Sequence, residues 1–295
     1  MGTINDTYIN ALLADTSYVT LKENGIILTG SAYINAVAKR MTPDVAQYIA
    51  DNFVVVTQEN NDDGSGFDAT VWQGKTGTNY AGQVYISMRG TQGALDIAED
   101  ADLATSGLAH EQLVDMVNWW LREATPAGQL ARQMTLQETH IPGTLFDFED
   151  FVPAPGVMAT GNLANIDRIH SVNGHSLGGY MATAFARIFG QQWDIESINT
   201  FNSAGFSRLA SENIENGFNQ IAEVIGHARG LSDFNSSAHN NYFAENGINV
   251  TTNTWDPVGF KQYGERIPLF QEETAPLGLS NHYMYKLTDR FKIVV

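Results

Sequence analysis

The chain has no cysteine among its 295 residues. Disulfides, thiolate zinc sites, iron–sulfur clusters and thiol catalysis are therefore excluded. Bases are scarce: 16 Lys and Arg stand against 33 Asp and Glu, a formal charge of −17. A sequence-independent grip on nucleic acid needs clustered cations to neutralise phosphates, so nucleic acid is not an expected partner. The same deficit argues against electrostatic docking on anionic membranes and leaves apolar contact with lipid open. Long apolar runs are missing too, so no transmembrane segment is expected. No internal repeat is visible, and in particular no glycine- and aspartate-rich calcium-binding array. The opening residues Met1-Gly2-Thr3-Ile4-Asn5-Asp6-Thr7 lack the basic and apolar regions of a secretory leader.

What is there is a globular composition, 43% hydrophobic and 17% charged. Its length suits one large α/β unit, and no stretch rich in Pro, Ser or Gly divides it, so a single domain over 1–295 is expected. Thr42-Pro43-Asp44 predicts a helix start, with Thr at N-cap and Pro at N1. The run Asn60-Asn61-Asp62-Asp63-Gly64-Ser65-Gly66 reads as a solvated loop. Its acids could hold a structural calcium, but the distal Glu of an EF-hand is missing, and no cofactor is expected. A hairpin is expected from Phe67–Trp72 through Gly74-Lys75-Thr76-Gly77 to Gln83–Met88. Residues 110–134 read as an amphipathic helix with Leu113, Met116, Val117, Trp120 and Leu121 on one stripe. Residues 135–162, with little periodicity, read as a long insertion.

Residues 166–173 form a strand candidate that runs into Gly174-His175-Ser176-Leu177-Gly178-Gly179 and an Ala-rich helix. A strand over 195–201, a helix over 208–226 and a strand over 248–254 follow. Strands alternating with helices predict an α/β fold with a mostly parallel central sheet and helices on both faces.

Gly174-x-Ser176-x-Gly178 between a strand and a helix carries the chemistry. A nucleophilic serine must stand on a tight strand-to-helix turn, where side chains at the flanking positions would collide. The helix N-terminus then aims backbone N–H groups at a developing oxyanion. The hydroxyl needs a base, and the base needs an orienting acid, in the chain order Ser, Asp, His. Asp256 follows the expected strand 248–254 and precedes Pro257, which makes it the preferred acid; Asp233 is its rival. Only His282 follows Asp256, so it is the candidate base. Leu177 supplies one oxyanion N–H, and Thr91, after the strand ending in Met88-Arg89-Gly90, is the candidate for the second donor. Arg89 reads as a buried ion pair with a carboxylate. His175 reads as structural, pointing away from the Ser176 hydroxyl, and His110, His140, His170, His227 and His239 as packed or solvated.

At Met88-Arg89-Gly90-Thr91, Gly174-His175-Ser176-Leu177-Gly178-Gly179 and Asp256-Pro257-Val258 the chain resembles the class 3 lipases, the fungal-lipase-like branch of the α/β-hydrolases. The resemblance spans roughly residues 67–285. The family usually has a proline where Gly259 stands here, and residues 1–60 have no counterpart in it, forming an N-terminal extension. The run Gly66-Phe67-Asp68-Ala69-Thr70-Val71, with Asp96 and Asp100 beyond it, is similar to lipase-like domains of acidic bacterial exported proteins.

The resemblance implies hydrolysis of lipid esters, as a triacylglycerol lipase or phospholipase A1, with a lipid or other ester as the partner at a lipid–water interface. It also suggests an extracellular location reached without a signal peptide, with the cytoplasm as the alternative. Residues 93–108, where the family carries its lid, and the insertion at 135–162 are the two candidate covers of the site. Two other readings stand beside this one: a serine hydrolase acting on a peptide, thioester or general carboxylic ester, and a non-catalytic lipid-binding module that keeps the turn.

Overall fold

The structure, a computed structural model, describes residues 4–60, 65–90, 108–140, 147–208, 210–227, 229–234, 238–245, 260–269 and 283–291. The chain opens with α1 (Ile4–Thr16), a small ladder of β1 (Lys22–Glu23) and β2 (Ile26–Ile27), α2 (Gly30–Val37) and α3 (Pro43–Asn52). As expected, Thr42 caps α3 with its hydroxyl and Pro43 takes the first turn, where a missing N–H costs nothing. Next come β3 (Phe53–Asn60), β4 (Asp68–Gly74) and β5 (Val84–Arg89), joined as an antiparallel meander. Then follow α4 (His110–Ala124), β6 (Leu130–His140), β7 (Asp147–Met158), β8 (Arg168–Ile169), β9 (Ser171–His175) and α5 (Leu177–Phe189). The last elements are β10 (Asp194–Ile195), β11 (Ile198–Phe201), β12 (Phe206–Ser207), α6 (Ser211–Ile225), β13 (His239–Ala244), β14 (Phe260–Lys261), β15 (Glu265–Leu269) and α7 (Met284–Phe291).

Seven strands form the central sheet in the order β15-β13-β11-β9-β5-β4-β3. From β5 to β15 every neighbouring pair is parallel. Helices lie on both sides. On one, Ile86, Met88 and Val172 from the sheet share a core with Trp120 of α4 and Phe185 of α5. On the other, α1–α3 pack over Phe53, Trp72 and Tyr85, while Ala11 and Ala14 of α1 join Met284 and Leu287 of α7 over Phe201 and Tyr242. This is a mixed, centrally parallel α/β sheet with helices on both faces and β9 in the middle.

Three expectations need correction. The helix expected over 110–134 ends at Ala124. Pro126 follows at once, and the residue before a proline disfavours the helical backbone. The segment expected to be irregular, 135–162, is mostly strand: β7 pairs antiparallel with β6 from Leu130↔Met158 to His140↔Asp147, as a two-stranded ribbon outside the main sheet. Pro153 and Pro155 read as breakers in sequence, but a ribbon has only edge strands, which tolerate proline. The strand expected over 166–173 divides into β8, which pairs with β10, and β9, which enters the central sheet. The strand expected over 248–254 lies outside the described residues.

Candidate active site

β9 ends at His175 and α5 begins at Leu177, so Ser176 alone makes the turn. Its backbone stands at φ 57, ψ −125. A non-glycine residue held there stores roughly 1–3 kcal/mol, which persists only where neighbours over-determine it. They do: the Ser176 N–H donates to the Phe201 carbonyl at 3.0 Å, and its own carbonyl accepts from Ala204 and Gly179, each at 2.9 Å. Glycine is required on both sides of the turn. A Cβ on Gly174 would stand 2.0 Å from the Gly178 carbonyl oxygen, and one on Gly178 would stand 2.1 Å from that of Met88. The N–H of Leu177 belongs to the first turn of α5, where no carbonyl within the helix can reach it, so it is suited to an external oxyanion. Ser176 is 1% exposed and Leu177 3%.

The end of β5 lies directly against this turn. A Cβ on Gly90 would come within 2.7 Å of the His175 carbonyl oxygen and 2.9 Å of Ser176 Cβ. The chain therefore leaves β5 beside Ser176. Thr91 itself, like Asp256 and His282, lies outside the described residues. Met284, two residues beyond His282 in sequence, is buried in one cluster with Phe201, whose carbonyl holds the Ser176 N–H.

Arg89 is paired with Asp68, its cross-strand partner in the β4–β5 register, and both are buried. The rival acid Asp233 is exposed. His175 is buried and turned to a residue the sequence did not single out: its Nδ1 lies 2.6 Å from the Tyr18 hydroxyl. Tyr18 sits just past the C-terminus of α1 and carries no motif, so no local signal could have pointed to it. The other described histidines have packing or surface roles. His110 meets Glu149 at 3.2 Å and His170 meets Glu196 at 3.0 Å. His227 stacks edge-on to Phe189, and burial lowers its pKa. His239 is 1% exposed and contacts Thr200 Oγ1, and burial lowers its pKa to about 4, which keeps it neutral.

Among the described residues no group of three His, Asp or Glu could hold a metal ion, and no helix is long and apolar enough to cross a membrane.

No family model matches the chain, and no curated protein matches it. Among solved structures it is similar to the Lip2 lipase from Yarrowia lipolytica, at 15% identity and a TM-score of 0.41, over 94% of this chain and 82% of that one. A likeness of that size transfers no residue role, so what the site can do rests on its own geometry.

Proposed function

We propose that the chain is a serine hydrolase that cleaves the carboxylic ester bonds of lipids, as a triacylglycerol lipase or phospholipase A1. The observation that carries this reading is the backbone of Ser176, held at φ 57 between a central strand and a helix N-terminus by three hydrogen bonds and two obligate glycines. Strain of that kind is worth its cost where a hydroxyl must be presented.

In this mechanism Ser176 Oγ attacks the ester carbonyl while His282 takes its proton. Asp256 holds the imidazole and stabilises its charged form. The oxyanion is met by the Leu177 N–H and by Thr91. His282 returns the proton to the leaving alcohol, and water, activated by His282, then releases the acid from the acyl-enzyme. Loss of one oxyanion donor would slow turnover on the order of 100–1,000-fold.

One observation favours lipid over a small soluble ester. Ser176 is almost fully buried, so an ester reaches it only after something above it moves. An enzyme that opens on contact with an interface meets that demand. A kinship with acidic bacterial exported lipases fits the charge of −17 and the absence of cysteine.

The test is hydrolysis of p-nitrophenyl esters of rising chain length, then of triacylglycerol against phosphatidylcholine. Wild type should prefer long chains, and Ser176→Ala, His282→Ala and Asp256→Ala should lose nearly all turnover while remaining folded. A preference for short chains would replace the lipase with a general carboxylesterase, and full activity in His282→Ala would place the base elsewhere.

A further inference from the structure

Tyr18, in the first sixty residues, reaches the turn at Ser176 with its side chain. The Tyr18 hydroxyl lies 2.6 Å from His175 Nδ1, and it accepts a hydrogen bond from the Gly90 N–H at 3.2 Å. It thus bridges the residue before Ser176 and the residue before Thr91. We infer that Tyr18 is a positioning residue for ester hydrolysis: its hydroxyl fixes the spacing between the turn at Ser176 and Gly90 at the end of β5. This inference rests on the hydrolase reading.

The phenol is well placed for both bonds at once. Desolvation raises its pKa, so it stays a neutral donor. Its oxygen accepts from Gly90, and its proton is left for His175 Nδ1, which selects the imidazole tautomer protonated at Nε2.

Tyr18 is itself held by Arg40 over its ring and by a clamp on the chain that follows it. The Arg40 guanidinium lies 4.4 Å above its ring centroid. Arg40 Nε donates to the buried Asp15 of α1 at 2.6 Å. Thr288 of α7 places its hydroxyl 3.4 Å from the other oxygen of that carboxylate, so the helix that follows His282 leans on the same acid. Beyond Tyr18, the buried Gln58 of β3 clamps the chain, accepting from the Leu21 N–H at 2.6 Å and donating to the Val19 carbonyl at 2.9 Å. A side chain so constrained at both ends can transmit a fixed distance. Small errors in that distance matter, because a misplacement of about 1 Å can cost on the order of 100-fold in rate.

The experiment compares steady-state hydrolysis of one p-nitrophenyl ester by wild type, Tyr18→Phe and Tyr48→Phe. Tyr48 also engages a hydroxyl, that of Tyr80 at 2.8 Å, but away from the turn. Tyr18→Phe keeps the ring under Arg40 and should lower kcat about tenfold with KM within about twofold, since it disturbs geometry rather than binding. Tyr48→Phe should match wild type. If Tyr18→Phe does not fold, Arg40→Met decides, with an expected kcat loss of about threefold from a loosened ring. Turnover by wild type with unchanged kcat in Tyr18→Phe, or in Arg40→Met where that variant decides, overturns the role of Tyr18 and leaves the hydrolase standing. No turnover by wild type overturns both.

Discussion

The side of the central sheet beneath α4 and α5 is closed by carbon. Ile86, Met88 and Val172 meet Trp120, Phe185 and Phe189, with Trp120 edge-on to Phe185 at 4.8 Å between ring centroids. The side beneath α1 carries Ser87, Ser171, Asn173 and Asn199 at the same depth, all buried. There the contacts are directional. Ser171 Oγ donates to Asn173 Oδ1 at 2.8 Å, Asn199 Nδ2 donates to Ser171 Oγ at 2.8 Å, and Asn240 Nδ2 donates to Asn199 Oδ1 at 3.1 Å. Apolar contact rewards area and tolerates small slips, whereas a buried hydrogen bond rewards one geometry and penalises the rest. The carbon face should therefore set stability, and the polar face should set alignment of the strands that end at Ser176 and Gly90.

The sharpest way to break that division is Trp120→Ala. It should cost about 3–5 kcal/mol in urea unfolding, yet leave kcat per folded molecule near wild type. A large loss of kcat in the folded fraction would show that the carbon face also aligns the site.

His239 tests the carbon side at its edge. Its folded pKa of about 4 lies below the ordinary 6.5, so between these values the unfolded chain binds the proton more readily. The stability due to neutral His239 is full above pH 6.5 and is lost as the pH falls toward 4. Relative to His239→Gln, wild type should lose up to about 3 kcal/mol across that window. Parallel curves for the two proteins would contradict the assignment.

On the polar side Asn199→Ala removes bonds to Ser171 and Asn240 and should cost about 1–2 kcal/mol. It should also lower kcat of the folded protein by a few-fold, since β11 supplies the Phe201 carbonyl that holds the Ser176 N–H. A stability loss with kcat untouched would reduce the polar layer to packing.

The smallest effect is expected for Val157→Thr on the outer ribbon, where Val157 is 39% exposed: under about 0.5 kcal/mol and no change in turnover.

How much of this was legible in the sequence follows from range. The strand-to-helix turn at Ser176 was, because three residue types at fixed spacing between a strand and a helix are a local signal, and Gly174 and Gly178 stand where a Cβ would collide with neighbouring backbone. The Arg89–Asp68 pair was legible in kind, since a buried arginine on a strand must find a carboxylate. The β6–β7 ribbon was hidden by Pro153 and Pro155, whose meaning depends on whether a strand has a neighbour on each side. The role of Tyr18 was not legible at all: 157 residues separate it from His175, and nothing in its own neighbourhood marks it.

The central claim, that position 176 bears an activated hydroxyl, is tested most directly by treating the native protein with a fluorophosphonate and mapping the adduct by peptide mass spectrometry. A single covalent adduct on Ser176, lost when the protein is unfolded before treatment, is the expected result. Native protein that hydrolyses esters yet carries the adduct on another residue, or folded protein that takes none, would contradict it.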